Sequence, residues 1–244
     1  MAPSSPGPLT YIRALRRDGN RIVAVAAAEL DSPVPSCPGW TIADLVWHVG
    51  NVHTFWRLVA AGAIAGPDTY REPARPANQV IVDWFRSGVA ETADTLGRIE
   101  PATPAWTWGR RKDVGFIQRR VAHETAVHCW DAVSAAGVDE PIERELAVDG
   151  VAEFLSDVLP GMSDDLDGQT QTVCLRANDV DAQWTVRAGR GACHAMSNGA
   201  TVDATVSATA SDLVLLLWGR RQTDQVQVDG DIEALKRFLA RATF

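Results

Sequence analysis

A four-helix bundle followed by a small α+β region is the fold class that this 244-residue chain predicts. Between Tyr11 and Ala136 the apolar residues recur at helical spacing in four segments, separated by breaks rich in proline and glycine; beyond about residue 170 the period changes to two. The chain also exceeds the usual single-domain length of about 100 to 150 residues. An all-α bundle over residues 1–138 and an α+β domain over residues 139–244 are therefore expected.

Tyr11, Leu15, Ile22, Ala26 and Leu30 mark the apolar face of a first helix. Pro33, Pro35 and Pro38 interrupt it, and Thr41 followed three residues later by Asp44 resembles a capping box that opens the second. That helix carries a seam of Ile42, Leu45, Val49, Val52, Trp56 and Val59; His48 borders the seam and His53 sits on a different face. Gly62, Gly66, Pro67, Pro73 and Pro76 make residues 61–77 a loop, and a third helix follows from Asn78 through Ile99. After a connection over residues 100–115 that carries Trp106 and Trp108, the fourth runs from about Val114 to Ala136. The two indoles suit either a pocket mouth or a satellite apolar cluster.

The second half reads differently. Residues 142–159 form a further helix, Thr172–Ala177 and Gln183–Ala188 read as strands, and Thr201–Ala208 alternates apolar with polar residues as a half-buried strand does. Ser197-Asn198-Gly199 is expected as a hairpin turn into that strand. Helices are expected at Ser211–Trp218 and Asp231–Ala242.

One stretch, Arg119 to Asp131, stands out because its helical core stripe passes through Glu124 and His128. Residues four apart on a helix project from one face with Cβ atoms about 5 to 6 Å apart, which is metal-ligand spacing. Burying an ionised carboxylate is costly unless it is paired, hydrogen-bonded or bound to a metal. The pair therefore reads either as two ligands awaiting a third or as a Glu–His hydrogen bond on a solvated face. His48 likewise reads as a hydrogen-bonded core histidine or as a ligand.

Composition excludes other classes. With 23 basic against 31 acidic residues the net charge is −8, and no Lys/Arg run tracks a phosphate backbone, so nucleic acid is not an expected partner. No apolar run approaches the roughly 18 residues of a membrane span. Residues 1–8 lack the charged and apolar regions of a signal peptide, and a cytoplasmic protein with no membrane partner is expected. Cys37, Cys129, Cys174 and Cys193 are scattered without a C-x-x-C, so reduced thiols are expected. Lys112 and Lys236 are the only lysines, a bias that suits a GC-rich genome.

Pro38-Gly39-Trp40-Thr41 leading to Asp44-Leu45-Val46-Trp47-His48, then His123-Glu124-Thr125-Ala126-Val127-His128-Cys129-Trp130-Asp131, then Leu215-Leu216-Leu217-Trp218-Gly219-Arg220-Arg221, resemble in order the actinobacterial mycothiol-dependent maleylpyruvate isomerase family. The resemblance implies a DinB-like metal-binding four-helix bundle joined to an α+β domain similar to sterol carrier proteins. It implies a zinc (or other divalent) site of His48, Glu124 and His128, with a fourth position for water or a thiol. It further implies that Arg220, with Arg221 as the alternative, approaches the active site and binds the substrate or the mycothiol cofactor.

Two histidines and a carboxylate with an open position form a catalytic rather than a structural zinc arrangement. Among these motifs only Cys129 is a cysteine, and its position points it off the His128 face, so the nucleophile is expected from a cofactor thiol. Addition of that thiol to a conjugated double bond, rotation and expulsion of sulfur gives cis–trans isomerisation; release of the adduct gives S-transfer. A thiol-independent zinc hydrolase and a non-catalytic metal-bearing binding or regulatory module are the alternatives. The small electrophilic substrate and the oligomeric state are left open.

Overall fold

Proline at the first helical position sets the backbone for α1 (Pro8–Glu29), since its fixed φ suits a helix start and its missing N–H is not needed there. This computed structural model of the chain describes residues 5–161, 170–189, 192–196 and 200–241. In the bundle α2 spans Ile42–Ala60, α3 Asn78–Arg98 and α4 Val114–Ala135, with a 3₁₀ turn at Pro67–Thr69 inside the long loop. α2 begins with a complete capping box: the Thr41 N–H donates to Asp44 Oδ2 over 2.8 Å and the Asp44 N–H to Thr41 Oγ1 over 3.3 Å. Asp113 caps α4 by accepting from the Phe116 N–H.

Each of α1 and α2 packs against both α3 and α4. Glycine permits part of this packing: a Cβ on Gly50 of α2 would lie 2.3 Å from the Trp84 ring of α3. Two apolar clusters fill the interior. One contains Ile22, Leu45, Val49, Phe85 and Cys129; the other contains Leu15, Trp56, Leu96, Phe116 and Val121. Along every helix a buried polar residue falls between the two, namely Asp18, His53, Thr92 and Thr125. α4 departs from the amphipathic expectation, because almost all of its faces are buried.

Trp106 and Trp108 are partly exposed and lie against rings of the second apolar cluster. Trp106 stacks on Trp56 with centroids 6.0 Å apart, and Trp108 meets the Phe116 ring edge-on at 5.0 Å.

The chain divides into two compact units, the first running from Pro6 to Ile142 and the second opening at Glu143. Residues just past α4 stay with the bundle because Trp130 Nε1 donates to Asp139 Oδ1 over 3.1 Å and Arg21 pairs with Glu140. In the second unit α5 (Arg144–Glu153) continues through a π-helical turn at Phe154–Val158 into α6 (Leu159–Gly161). Strands β1 (Gln171–Ala177), β2 (Ala182–Gly189), β3 (Ala192–Met196), β4 (Ala204–Ala208) and β5 (Gln227–Gly230) form one sheet in the order β3-β2-β1-β4-β5. β1 and β4 are parallel and the remaining pairs antiparallel. α7 (Ala210–Leu217) and α8 (Ile232–Ala240) pack against β1 and β4.

Three expectations for this unit are corrected. The strand expected from Thr201 begins at Ala204; just before it the Asp203 N–H still donates to Thr172 O over 2.8 Å, but the Asp203 carboxylate, rather than a backbone carbonyl, takes the Thr172 N–H over 2.7 Å. The expected turn at residues 197–199 lies outside the described residues, and the strands on either side of it are not partners: β3 pairs with β2, and β4 with β1 and β5. β3 and β5 were not expected from periodicity. Gln227-Val228-Asp229-Gly230 is a mostly exposed edge strand with no apolar alternation to announce it.

Candidate metal centre

α2 and α4 bring His48, Glu124 and His128 together. Glu124 Oε1 lies 3.3 Å from His48 Nε2 and 3.3 Å from His128 Nε2, and one donor atom from each residue falls within 4.8 Å of the others. The imidazole centroids are 5.0 Å apart, with the rings inclined at 71°. Ligand bonds of about 2.0 to 2.2 Å at a tetrahedral angle hold adjacent donors roughly 3.3 to 3.6 Å apart, so the observed spacing fits a shared ion. Charge-assisted hydrogen bonds are shorter, about 2.7 to 2.9 Å. Two imidazole nitrogens and a carboxylate oxygen also form a donor set suited to zinc.

The supporting contacts come largely from residues that sequence reasoning did not single out. Arg120, one turn before Glu124 and only 4% exposed, places Nη2 2.9 Å from Glu124 Oε2, which leaves Oε1 to face the imidazoles. Asp131 Oδ2 lies 2.9 Å from His128 Nδ1. Ser36 donates to Asp131 Oδ1 over 2.6 Å, and Cys37 Sγ is 3.6 Å from Oδ2. Trp40 stacks on His128 at 6.3 Å and lies tilted against His48 at 5.0 Å. A resemblance carried by Pro38-Gly39-Trp40-Thr41 therefore marks the wall of the site as well as a helix start.

The electrostatics follow from this packing. Burial pushes the Glu124 carboxyl up, but hydrogen bonds from His128 and His48 and the charges of His128 and Arg120 outweigh it and hold the group well below the carboxylate range. Burial pushes His128 down, yet Asp131, Cys37 and Glu124 together raise it well above an ordinary histidine. In the metal-free protein the two form a buried ion pair; an ion carrying the positive charge can replace the proton.

Cys129 faces the apolar cluster, and burial pushes its thiol up to about 12, so it offers no thiolate near neutral pH. Cys37, in contrast, lies beside His128 and Asp131, which corrects the expectation that Cys129 is the only cysteine among the site motifs. His53 proves more deeply buried than His48: it is 0% exposed, hydrogen-bonded through Nε2 to Thr125 Oγ1 over 2.8 Å and stacked on Phe85.

In the second unit, Arg220 and Arg221 follow the C-terminus of α7, where Gly219 takes φ 75° and the N–H groups of Arg220 and Arg221 both donate to Leu215 O. Glycine tolerates that left-handed cap without steric cost. Arg220 Nη1 donates to Trp218 O over 2.7 Å, and Arg221 Nε pairs with Asp212 Oδ1 at 2.8 Å.

Residues 12–133 match the family model described as the mycothiol maleylpyruvate isomerase N-terminal domain. The chain belongs to the mycothiol maleylpyruvate isomerase family. Residues 145–237 match the corresponding MDMPI C-terminal domain. An uncharacterized protein of Mycobacterium tuberculosis, found in strains ATCC 25618 / H37Rv and CDC 1551 / Oshkosh, is 30% identical over 128 residues, which is 52% of this chain. The match spans 66% of that relative's length, just under two thirds. Among solved structures, the mycothiol-dependent maleylpyruvate isomerase superposes with TM-score 0.67 at 14% identity, covering 94% of this chain and 98% of that one. A histidine-to-alanine mutant of it gives TM-score 0.66 at 12% identity with the same coverage. At such identities the likeness is one of fold, and it supports a helical bundle followed by a small mixed-sheet domain. Among the described residues no helix is long and apolar enough to cross a membrane.

Proposed function

We propose that this family member is a mycothiol-dependent isomerase whose bundle holds a divalent ion, zinc, through His48, Glu124 and His128. The observation that carries the reading is the convergence of both imidazole Nε2 atoms on Glu124 Oε1 at 3.3 Å each. His48, Glu124 and His128 would hold the ion, whose chemistry there would be to favour the thiolate over the thiol of mycothiol as the nucleophile toward a small electrophile. The same chemistry supports S-transfer where the adduct is released.

The chain's own residues prepare the site for this. Arg120 fixes Glu124 by taking its second oxygen, and its charge balances the buried carboxylate. Trp40 shields one side of both imidazoles from water. A guanidinium holds carboxylates in bidentate fashion. Arg220 is assigned to a carboxylate of the electrophile or of the thiol, whereas Arg221, tied to Asp212, serves the fold. The two compact units are read as separately folding domains.

Elemental analysis and turnover with mycothiol and a panel of conjugated electrophiles test the reading. About one zinc per chain is expected, lost when His48, Glu124 and His128 are all replaced by alanine. Full metal occupancy in that variant would sink the assignment, and turnover without added thiol would replace the isomerase with a zinc hydrolase.

A further inference from the structure

We propose that Asp131 is the positioning residue of the metal centre, and that the Ser36-Cys37 segment of the α1–α2 loop holds it in place. The proposal rests on the metal reading above and adds to it the element that aims one of the ligands.

Asp131 sits one turn beyond His128 on α4 and is 0% exposed. A carboxylate so buried is tolerable only if its oxygens are satisfied. Oδ2 faces His128 Nδ1 at 2.9 Å and Cys37 Sγ at 3.6 Å, and Oδ1 accepts from Ser36 Oγ at 2.6 Å. An ionised carboxylate is an acceptor only, so the proton on this side of the ring belongs to His128 Nδ1. Nε2 is the nitrogen left to face Glu124 and His48. A ligating histidine typically donates its other ring N–H to a carboxylate, and loss of that partner costs 10- to 100-fold in metal affinity.

The loop is built to keep these contacts. Val34 N–H donates to Trp40 O over 2.9 Å, Cys37 N–H to Val34 O over 3.0 Å and Trp40 N–H to Cys37 O over 3.0 Å, while Pro33 and Thr41 form an isolated bridge at its base. One short closed loop thus clamps Asp131 through Ser36 and Cys37 and lays Trp40 over the imidazoles. A rival arrangement exists in the same atoms: Cys37, His128 and Asp131 also bring donors within 4.8 Å of one another and could hold an ion on the Nδ1 side.

The test compares full-length wild type with Asp131→Asn, Ser36→Ala and Cys37→Ala. Zinc affinity is measured by chelator competition, and the His128 Nδ1–H is followed by proton NMR of 15N-histidine protein. Asp131→Asn is expected to weaken zinc about 10- to 100-fold and to move or remove the downfield, slowly exchanging Nδ1–H resonance while the circular dichroism spectrum is retained. The two loop variants, which leave Asp131 in place and keep the proposal testable if Asp131→Asn fails to fold, are expected to give smaller losses in the same direction. Equal zinc affinity and an unchanged Nδ1–H in folded Asp131→Asn would overturn this proposal alone. A thiolate-to-metal charge-transfer band with cobalt(II), absent from Cys37→Ala, would overturn it in favour of the rival site. Absence of zinc from wild type would overturn the metal reading and this proposal with it.

Discussion

The Arg120 guanidinium lies 2.9 Å from Glu124 Oε2, on the side of the carboxylate away from the two imidazoles. Removing one partner of a buried ion pair leaves an uncompensated charge and commonly costs about 3 to 5 kcal/mol. Glu124 keeps 18% side-chain exposure, which moderates the penalty. Arg120→Met is expected to lower the stability of metal-free protein by roughly 2 to 3 kcal/mol, and zinc is expected to recover part of the loss. Denaturant unfolding with and without zinc checks this. An unchanged midpoint would mean that Arg120 does not anchor the carboxylate.

The second prediction concerns His53. Burial among apolar neighbours lowers it from 6.5 to about 4. Between those values the unfolded chain binds a proton that the folded chain refuses, so stability is fully present above pH 6.5 and falls as the pH drops toward 4. The full loss is roughly 3 kcal/mol, and about 2 kcal/mol is expected between pH 7 and pH 5. His128 has the opposite sign, because its folded value is raised; in metal-free protein its contribution is fully present below pH 6.5 and is lost as the pH rises above it, so the two effects overlap only between pH 6.5 and 7. Unfolding in chelator at several pH values measures the slope, which should flatten in His53→Gln.

The capping box of α2 supports a third. Thr41→Ala removes the acceptor for the Asp44 N–H and is expected to cost about 1 kcal/mol. His48 lies two turns along the same helix, so thermal denaturation should fall while zinc stoichiometry stays at one per chain. Loss of zinc with no loss of stability would show that Thr41 acts on the site and not on the helix.

Much of the bundle was legible because local chemistry states it. Thr41 begins α2 by a short-range rule, and Glu124 and His128 meet by helix geometry alone. His48 was readable as a histidine bordering a seam, although nothing in α2 says which helix it faces. Arg120 was within reach of the same spacing argument, since it stands four residues before Glu124. Ser36 and Cys37 were not: they meet Asp131 across more than ninety residues of chain, through a loop whose prolines announce only a break. Sheet order was hidden for a similar reason. β1 pairs in parallel with β4, a long-range choice to which alternation within either strand is blind.

The last prediction separates the two arginines after α7. Arg221 is 14% exposed and bonds through Nε to Asp212, whose own carboxylate accepts from the Thr209 hydroxyl at the N-cap of the same helix. Arg221→Ala therefore breaks a tie between the two ends of α7 and is expected to lower stability by about 1 kcal/mol, as a partly shielded ion pair does. Arg220 Nη1 donates to Trp218 O, and this residue carries the proposed ligand role. Arg220→Ala is expected to raise KM for the partner bearing the carboxylate by 10-fold or more, roughly the 1.4 kcal/mol of a lost charged contact. Arg220→Lys should recover the charge but not the paired geometry, and so only part of the affinity. Varying thiol and electrophile separately in steady-state assays identifies which of them Arg220 holds. Unchanged KM for both in Arg220→Ala, together with a raised KM in Arg221→Ala, would transfer the role to Arg221.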